Sequence, residues 1–359
     1  MTDRKITHRQ LMALVFVSLL SPMIRSVPNG EIPIAGKAAW LAPFAALLPL
    51  LALYGVFRLF LKHRTGEIGL GDVMLRAFGP VFGRVMLIAF ALWLDVCTGI
   101  VLRTAGERLV SYVYNDMSWV VFAAVILVSA WIAALGTPRS LARTAQILVP
   151  VAGTVLIAVF LLLAGDIDPG RFLPVTYLDI PRAALAGLRL TAALSVYGFY
   201  TFLYGNVDQN SSKGGVIYLF YLLFVAAGVS VSAIGVLSAP IADTMQSPFF
   251  VVIRNITFLN ILERIEAVVI VLWVISDFMF VSSMLTASSE LLVLTFGGKG
   301  RRLSVSASAA PAMAAAVLSA ESAFELKNTV LNTVPIINAA LVFGVIPLSI
   351  LAARLKRRL

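Results

Sequence analysis

Side chains that build sites in soluble enzymes are scarce in this sequence. It has one cysteine, Cys97, and two histidines, His8 and His63, in 359 residues. A single cysteine excludes an internal disulfide and a cysteine-based metal site, and two histidines near the ends of apolar runs do not make a zinc cluster. No nucleophile–base pair, phosphate-binding glycine loop or catalytically spaced carboxylate pair occurs. The sequence therefore argues against an enzyme, and we expect neither a cofactor nor a metal.

Charged residues are also few. They make up 13% of the chain, whereas 60% of the residues are hydrophobic, and the mean hydropathy is +0.95. A soluble domain does not bury that much apolar surface, because its core grows too slowly with its size. Apolar runs of about 20 residues, the length of a membrane-crossing helix, recur along the whole chain. The composition predicts an all-α integral membrane protein.

We predict ten transmembrane helices, because backbone polar groups in lipid must be paired within their own segment. These spans form one permease-like domain over residues 1–359. The spans are 9–28, 36–61, 81–111, 118–136, 145–165, 183–206, 215–238, 264–295, 304–320 and 331–353. The first is read as a retained span rather than a signal peptide, since no small-residue cleavage site follows it. Residues 69–79 and 243–264 are predicted as short amphipathic helices at opposite interfaces.

Basic residues set the predicted orientation. An even number of spans places both termini on one side, and placing them in the cytoplasm puts about two thirds of the Lys and Arg residues there. The C-terminal "RLKRR" is the strongest single indication. The net charge of +10 then reflects contact with anionic membrane lipid, and we expect no nucleic-acid partner.

Two predicted spans contain residues that weaken a helix. The first is expected to break at Ser21-Pro22, because proline lacks a backbone donor and clashes with the preceding turn. The sixth carries Gly198 among hydroxyl side chains. Breaks five spans apart predict an inverted repeat of about 9–165 and about 183–353, with a ligand site near the membrane midplane. Plain structural kinks are the alternative.

Carboxylates inside the predicted spans are the second indication of a site. Asp95 and Asp277 lie in the middle of spans three and eight, where an ionised carboxylate costs several kcal/mol unless it meets a cavity or a partner. Either one is a candidate for ligand contact or for proton binding. Ser276 beside Asp277 is a candidate lining residue, although hydroxyl residues in membrane helices most often serve packing.

Charged residues near the ends of spans one and three form a candidate network. Arg25 lies towards the end of the first span, and Arg103 and Glu107 are four residues apart on one face of the third. A purely structural ion pair between the last two is the alternative interpretation.

Several stretches resemble a known family. They are "ITHRQLMALVFVSLL", Pro28, "RTAGERL", "LSAP" and, most specifically, "LERIEAVVIVLWVISDFMF" at 262–280. Together they resemble the B subunit of the spore-germination receptors, a branch of the amino acid–polyamine–organocation transporter superfamily. The most specific residues are Glu263, Arg264, Glu266 and Trp273.

This resemblance implies a LeuT-like permease fold, a five-plus-five inverted repeat with helices 1 and 6 broken. It implies a germinant-sensing subunit for a small amino acid or related ligand, in the spore inner membrane of a bacterium. The implied partners are the A and C subunits of the receptor. An autonomous secondary amino-acid transporter, proton-coupled or passive, and a germinant-gated ion-conducting subunit are the alternatives.

The predicted ligand site combines the break, the buried carboxylates and positions that the resemblance implies in spans three, six and eight. Its residues are Ser21, Met23, Arg25, Asp95, Cys97, Thr98, Val196, Tyr197, Gly198, Ser276, Asp277 and Phe280.

One departure from the family affects the expected ligand. Relatives have a G-x-G bend in the first span, whereas this chain has Ser21-Pro22-Met23, and Pro22 supplies no amide to hold a carboxylate. We therefore expect either a ligand with a cationic group or an amino acid whose carboxylate meets Arg25.

Overall fold

The computed structural model describes residues 5–64, 66, 68–113, 116–208, 214–255, 265–297 and 300–356. Within these ranges the regular structure is helical, apart from one isolated parallel bridge between Ile6 and Val207. The part of the chain that the structure describes is therefore all-helical, as the apolar runs predict.

Fifteen α-helices follow one another in the described chain. The first eight are α1 His8–Ala35, α2 Ala42–His63, α3 Leu70–Phe78, α4 Pro80–Tyr112, α5 Trp119–Leu135, α6 Pro138–Leu163, α7 Asp179–Leu194 and α8 Val216–Leu237. The others are α9 Ala239–Thr244, α10 Pro248–Arg254, α11 Ile265–Phe296, α12 Arg301–Leu318, α13 Ala323–Asn328, α14 Val334–Ala339 and α15 Ile346–Leu355. Segments of 3₁₀ or π helix follow α1, α6, α7, α13 and α14.

Seven helical segments of the described chain are long and apolar enough to cross a membrane. The first, His8–His63, contains both α1 and α2. Helix α5 has only 17 residues, and α12 is not among the seven. The spans thus lie where the apolar runs predict them, while the count of ten and the inverted repeat stay predictions.

Helix α1 is the centre of the bundle and packs against α6, α7, α8 and α11. It runs without interruption from residue 8 to residue 35, so the predicted break at Ser21-Pro22 and the predicted end at 28 are wrong. Because Pro22 has no N–H, the Ser18 carbonyl lacks its usual partner. The Ser276 hydroxyl of α11 donates to Ser18 O at 3.3 Å and accepts from Ser21 N at 2.8 Å. The Ser276 side chain of α11 therefore supplies hydrogen bonds to the α1 backbone where Pro22 disrupts the helical pattern.

Replacing Ser276 by alanine is expected to destabilise the protein by about 1–3 kcal/mol, because the buried Ser21 N–H loses its acceptor. Ser282→Ala is the matched control on the same helix, since the Ser282 hydroxyl bonds within α11, to Phe278 O. Thermal unfolding of both variants in detergent measures the difference. Equal midpoints for the two variants would contradict the stabilising role of the Ser276 hydrogen bonds to α1.

The predicted irregularity of the sixth span is present as a change of helix type. Helix α7 ends at Leu194, and a 3₁₀ helix, Ser195–Asn206, continues it. A side chain at Gly198 would overlap Val342, so glycine permits the close contact there. Long 3₁₀ stretches within a helix often mark functional hinges.

The predicted interfacial helices are found in part. Residues 69–79 contain α3, whereas residues 243–264 contain the end of α9 and the short α10. Residues 256–264 lie outside the described residues, and with them Glu263 and Arg264 of the family segment. The cytoplasmic placement of the termini stays a prediction.

Candidate functional site

An ion-paired carboxylate lies where α1, α4 and α11 meet. Asp277 is 2% exposed and pairs with Arg108 of α4. The Arg108 Nη1 donates to Ser21 Oγ at 2.8 Å, and the guanidinium carbon lies 5.0 Å from the centre of the Trp273 ring. Asp277 thus already has a cationic partner, and the pair ties the proline region of α1 to its two neighbours.

Arg108 was not among the predicted site residues, although it follows Glu107 directly in the sequence. The prediction instead singled out Arg103, whose Nε bonds Glu107 Oε1 at 2.7 Å. The Arg103 guanidinium also stacks 3.8 Å from the centre of the Trp119 ring. The spacing of four predicted this pair correctly, and its geometry is that of a structural ion pair.

Arg25 lies next to the same charges without joining a described ion pair. It interacts electrostatically with Glu107, Asp277 and Arg108. With Glu107 and Arg108 it lines a cleft of about 230 Å³ between α1, α4 and the chain just before α10. Arg25 therefore lies near the charged residues of span three, and the predicted network that includes it stays a prediction.

Asp95 lies elsewhere in the bundle. It is 2% exposed, and the Ser288 and Ser308 side chains lie beside its carboxylate. Its Oδ1 has no hydrogen-bond partner among the described residues. On α11, Ser288 and Asp277 are separated by about 16 Å of helix. The structure therefore does not bring the two predicted carboxylates into one site.

The remaining predicted residues of span three contact α14 or their own helix. The Asn338 side-chain oxygen accepts from Trp93 Nε1 at 2.8 Å and lies 3.7 Å from Cys97 Sγ. Thr98 Oγ1 donates to the Leu94 carbonyl of the same helix at 2.8 Å. Thr98 therefore bonds within α4, whereas Trp93 and Cys97 contact α14.

The other predicted residues divide between the core, a cavity and the network around Pro22. Tyr197, Gly198 and Phe280 are buried in the core, and the Tyr197 hydroxyl donates to Leu50 O at 3.3 Å. Met23 and Val196 line a partly open cavity. The polar network around Pro22 holds the last three predicted residues, Ser21, Ser276 and Asp277.

This cavity lies between α1, the end of α7 and the last span, with a volume of about 40 Å³. Pro22 and Met23 of α1 line it opposite Val196, the second residue of the 3₁₀ helix. Glu31 and Arg189 supply its charged groups. A space of this size holds a few water molecules, and a small organic ligand would need it to widen.

Glu31 is a buried acid on the cavity wall, and only one of its two carboxylate oxygens accepts a hydrogen bond from a described residue. It is 1% exposed, and Ser230 Oγ of α8 donates to its Oε2 at 2.9 Å. Its Oε1 has no hydrogen-bond partner among the described residues. Sequence reasoning missed Glu31 because it ended the first span at residue 28. The apolar residues Ile32 and Ile34 just beyond it were the available signal.

Arg189 supplies the opposite charge. Its Nη2 donates to Leu331 O at 3.2 Å and also to Asn332 Oδ1. Its side chain passes across α1 at Gly30, where a Cβ would lie 4.0 Å from Arg189 Cδ. No ion pair joins Glu31 and Arg189 in the part of the chain that the structure describes. The cavity therefore has one acidic and one basic side chain on its walls, without an ion pair between these two described residues.

Residues 5–324 match the family described as "Spore germination protein". This match covers most of the chain. The chain belongs to the spore germination protein family. It is 25% identical over 304 residues to spore germination protein KB of Bacillus subtilis (strain 168), and the alignment covers 80% of this chain and 78% of that protein.

The fold is similar to that of a sodium-coupled symporter. A Na⁺-coupled sialic acid symporter, solved in a substrate-bound outward-open state, superposes with a TM-score of 0.68 at 12% identity. The alignment covers 97% of this chain and 79% of the symporter. Together with the seven spans, this identifies an integral membrane protein with the LeuT-like fold, permease-like in architecture.

Proposed function

We propose that this protein is a germinant-sensing, permease-like subunit of a spore germination receptor. It binds a small amino acid or a related zwitterion in the cavity between α1 and α7. The family and the transporter fold support the general role. The observation that carries the ligand class is the cavity itself, with the buried Glu31 carboxylate and the Arg189 guanidinium on its walls and no ion pair between these two described residues.

In this proposal the ligand supplies the missing charges. Its ammonium group meets Glu31 Oε1, which otherwise is a buried, unpartnered carboxylate oxygen, and its carboxylate meets Arg189. Pro22 contributes no amide, so side chains replace the backbone capture used where a glycine bend is present. The ligand contacts α1 close to the Ser276 hydrogen bonds, and it also contacts the first turn of the 3₁₀ helix. Binding can therefore favour one arrangement of α1 and the 3₁₀ helix.

The proposed setting follows from the family. The protein lies in the spore inner membrane with both termini in the cytoplasm, and residues 9–165 and 183–353 form two inverted repeats. Receptor A and C subunits are its proposed protein partners. Asp277, Arg108 and Arg25 lie outside this cavity, in the charged group between α1, α4 and α11, and do not hold the ligand in this proposal.

An autonomous secondary amino-acid transporter is the second candidate, and the symporter fold favours it. Asp277 is already paired with Arg108, so Glu31 and Asp95 are the described buried acids that have no cationic partner and can exchange a proton during such a cycle. The two functions differ in whether the ligand crosses the membrane.

Counterflow uptake with the purified protein in liposomes separates the two candidates. We expect saturable binding of at least one small amino acid, measured as thermal stabilisation, without counterflow of that amino acid. Saturable counterflow that Glu31→Gln abolishes would establish the transporter instead. Neither binding nor uptake of any amino acid would contradict both candidates.

A further inference from the structure

A groove of about 830 Å³ lies on the side of the bundle. It lies between α6 and α8, with Phe16 of α1 as its floor. Its size is within the range of pockets that hold drug-sized ligands. It is separate from the cavity of the proposed amino-acid site, and it shares no lining residue with it.

The surroundings of two glycines, Gly228 and Gly153, explain the shape of this groove. At one end, a Cβ on Gly228 of α8 would lie 2.5 Å from Phe160 Cζ of α6, so the two helices touch there. Further along, Gly153 of α6 faces open space, with nothing within 4 Å of a Cβ built on it. Pro150 interrupts the hydrogen bonds of α6 one turn earlier. The two helices therefore meet at Phe160 and diverge towards the other end.

The walls are apolar and aromatic. Tyr218 and Tyr221 of α8 pack edge-on at 6.0 Å between ring centres, and Phe16 lies 6.1 Å from Tyr221. Phe224 closes the narrow end against Phe160 at 6.2 Å. Phe224 is 60% exposed on the surface of this membrane-spanning bundle. The groove therefore opens sideways, where hydrocarbon rather than water is the neighbouring phase.

The wide end carries the polar groups. Arg9, at the start of α1, is exposed and lies beside the Tyr218 side chain. The Gln146 side chain is held there by Gln10, whose Nε2 donates to Gln146 Oε1 at 3.1 Å. A guanidinium beside amide and hydroxyl groups at the mouth of an apolar groove matches a phosphate attached to an acyl chain.

We propose that this groove is a binding site for an anionic phospholipid. One acyl chain lies between α6 and α8 against Phe16, and the phosphate is held by Arg9. The bound chain packs on α1 only two residues before Ser18, the carbonyl bonded to Ser276. The lipid therefore contacts the same helix that lines the amino-acid cavity, and membrane composition acts on that helix directly.

The test uses thermal unfolding of delipidated, detergent-solubilised protein with added phosphatidylglycerol or phosphatidylcholine of identical acyl chains. We expect phosphatidylglycerol to raise the midpoint of the wild type more than phosphatidylcholine does. Arg9→Gln should make the two lipids equivalent. Gly153→Leu, which fills open space in the groove, should remove the response to both. Gly55→Leu is the matched control, because a Cβ at Gly55 in α2 also meets nothing within 4 Å.

Two results would overturn the proposal. Gly153→Leu responding to phosphatidylglycerol as Gly55→Leu does would show that the lipid binds outside the groove. Equal responses of the wild type to both lipids would show that Arg9 does not select a charged headgroup, even where Gly153→Leu abolishes those responses.

Discussion

Asp277→Asn is expected to lower the free energy of unfolding by about 3–5 kcal/mol, because it leaves Arg108 without its carboxylate in the interior. The side chains of Arg108 and Asp277 are 11% and 2% exposed, so water replaces little of the lost interaction. Chemical or thermal unfolding of the detergent-solubilised variant measures the cost.

Asp95→Asn is the matched control for this prediction. Asp95 is as buried as Asp277, but its neighbours are the Ser288 and Ser308 side chains rather than a cation. An asparagine keeps the size of the side chain and a polar oxygen beside these serines, and no buried positive charge is left behind. We expect a much smaller change than for Asp277→Asn, in either direction.

The double variant Arg108→Met with Asp277→Leu completes the comparison. Replacing both members of a buried pair by apolar residues of similar size is often neutral or stabilising, so this variant should recover most of the lost stability. Similar losses for Asp277→Asn and Asp95→Asn, with no recovery in the double variant, would contradict the assigned pairing.

Glu31→Gln is expected to weaken binding of the amino-acid ligand by about 10- to 100-fold, because a charge-assisted hydrogen bond contributes about 1.5–3 kcal/mol. The fold should survive, since the carboxamide oxygen of this variant can still accept from Ser230 and no buried charge is left unpaired. Isothermal titration or ligand-induced thermal stabilisation measures the affinity.

Glu290→Gln is the control for the loss of a carboxylate elsewhere. Glu290 lies on α11 near Arg301, at 4.0 Å, and does not line the cavity. Its substitution should leave ligand affinity at the wild-type value. Unchanged affinity in Glu31→Gln would show that the ligand's ammonium group binds at another place.

Local sequence patterns were enough to predict the helices and one ion pair. Apolar runs located the spans, since period and length suffice for helices in lipid. The spacing of Arg103 and Glu107 predicted their contact, which forms within one helix. Gly198 correctly marked an irregular segment, here a 3₁₀ helix.

Contacts between distant segments were beyond these patterns. Pro22 predicted a broken helix, but Ser276, more than two hundred residues away, supplies the missing hydrogen bonds and keeps α1 continuous. Asp277 could have met Arg25 or Arg103, and the packing of α11 on α4 selects Arg108 instead. Only the path of α1 beyond Pro28 shows that Glu31 faces a cavity.

The central claim is that an amino acid occupies the cavity between α1 and α7, and protection of an introduced cysteine tests it most directly. Cys97 is buried and is first replaced by alanine. In that background, Ala193→Cys places a thiol on the cavity wall, and Ala184→Cys places one on the exposed face of α7. We predict that saturating ligand slows modification of the thiol at position 193 by a small methanethiosulfonate reagent and leaves position 184 unaffected. Ligand binding that protects neither position would contradict the account.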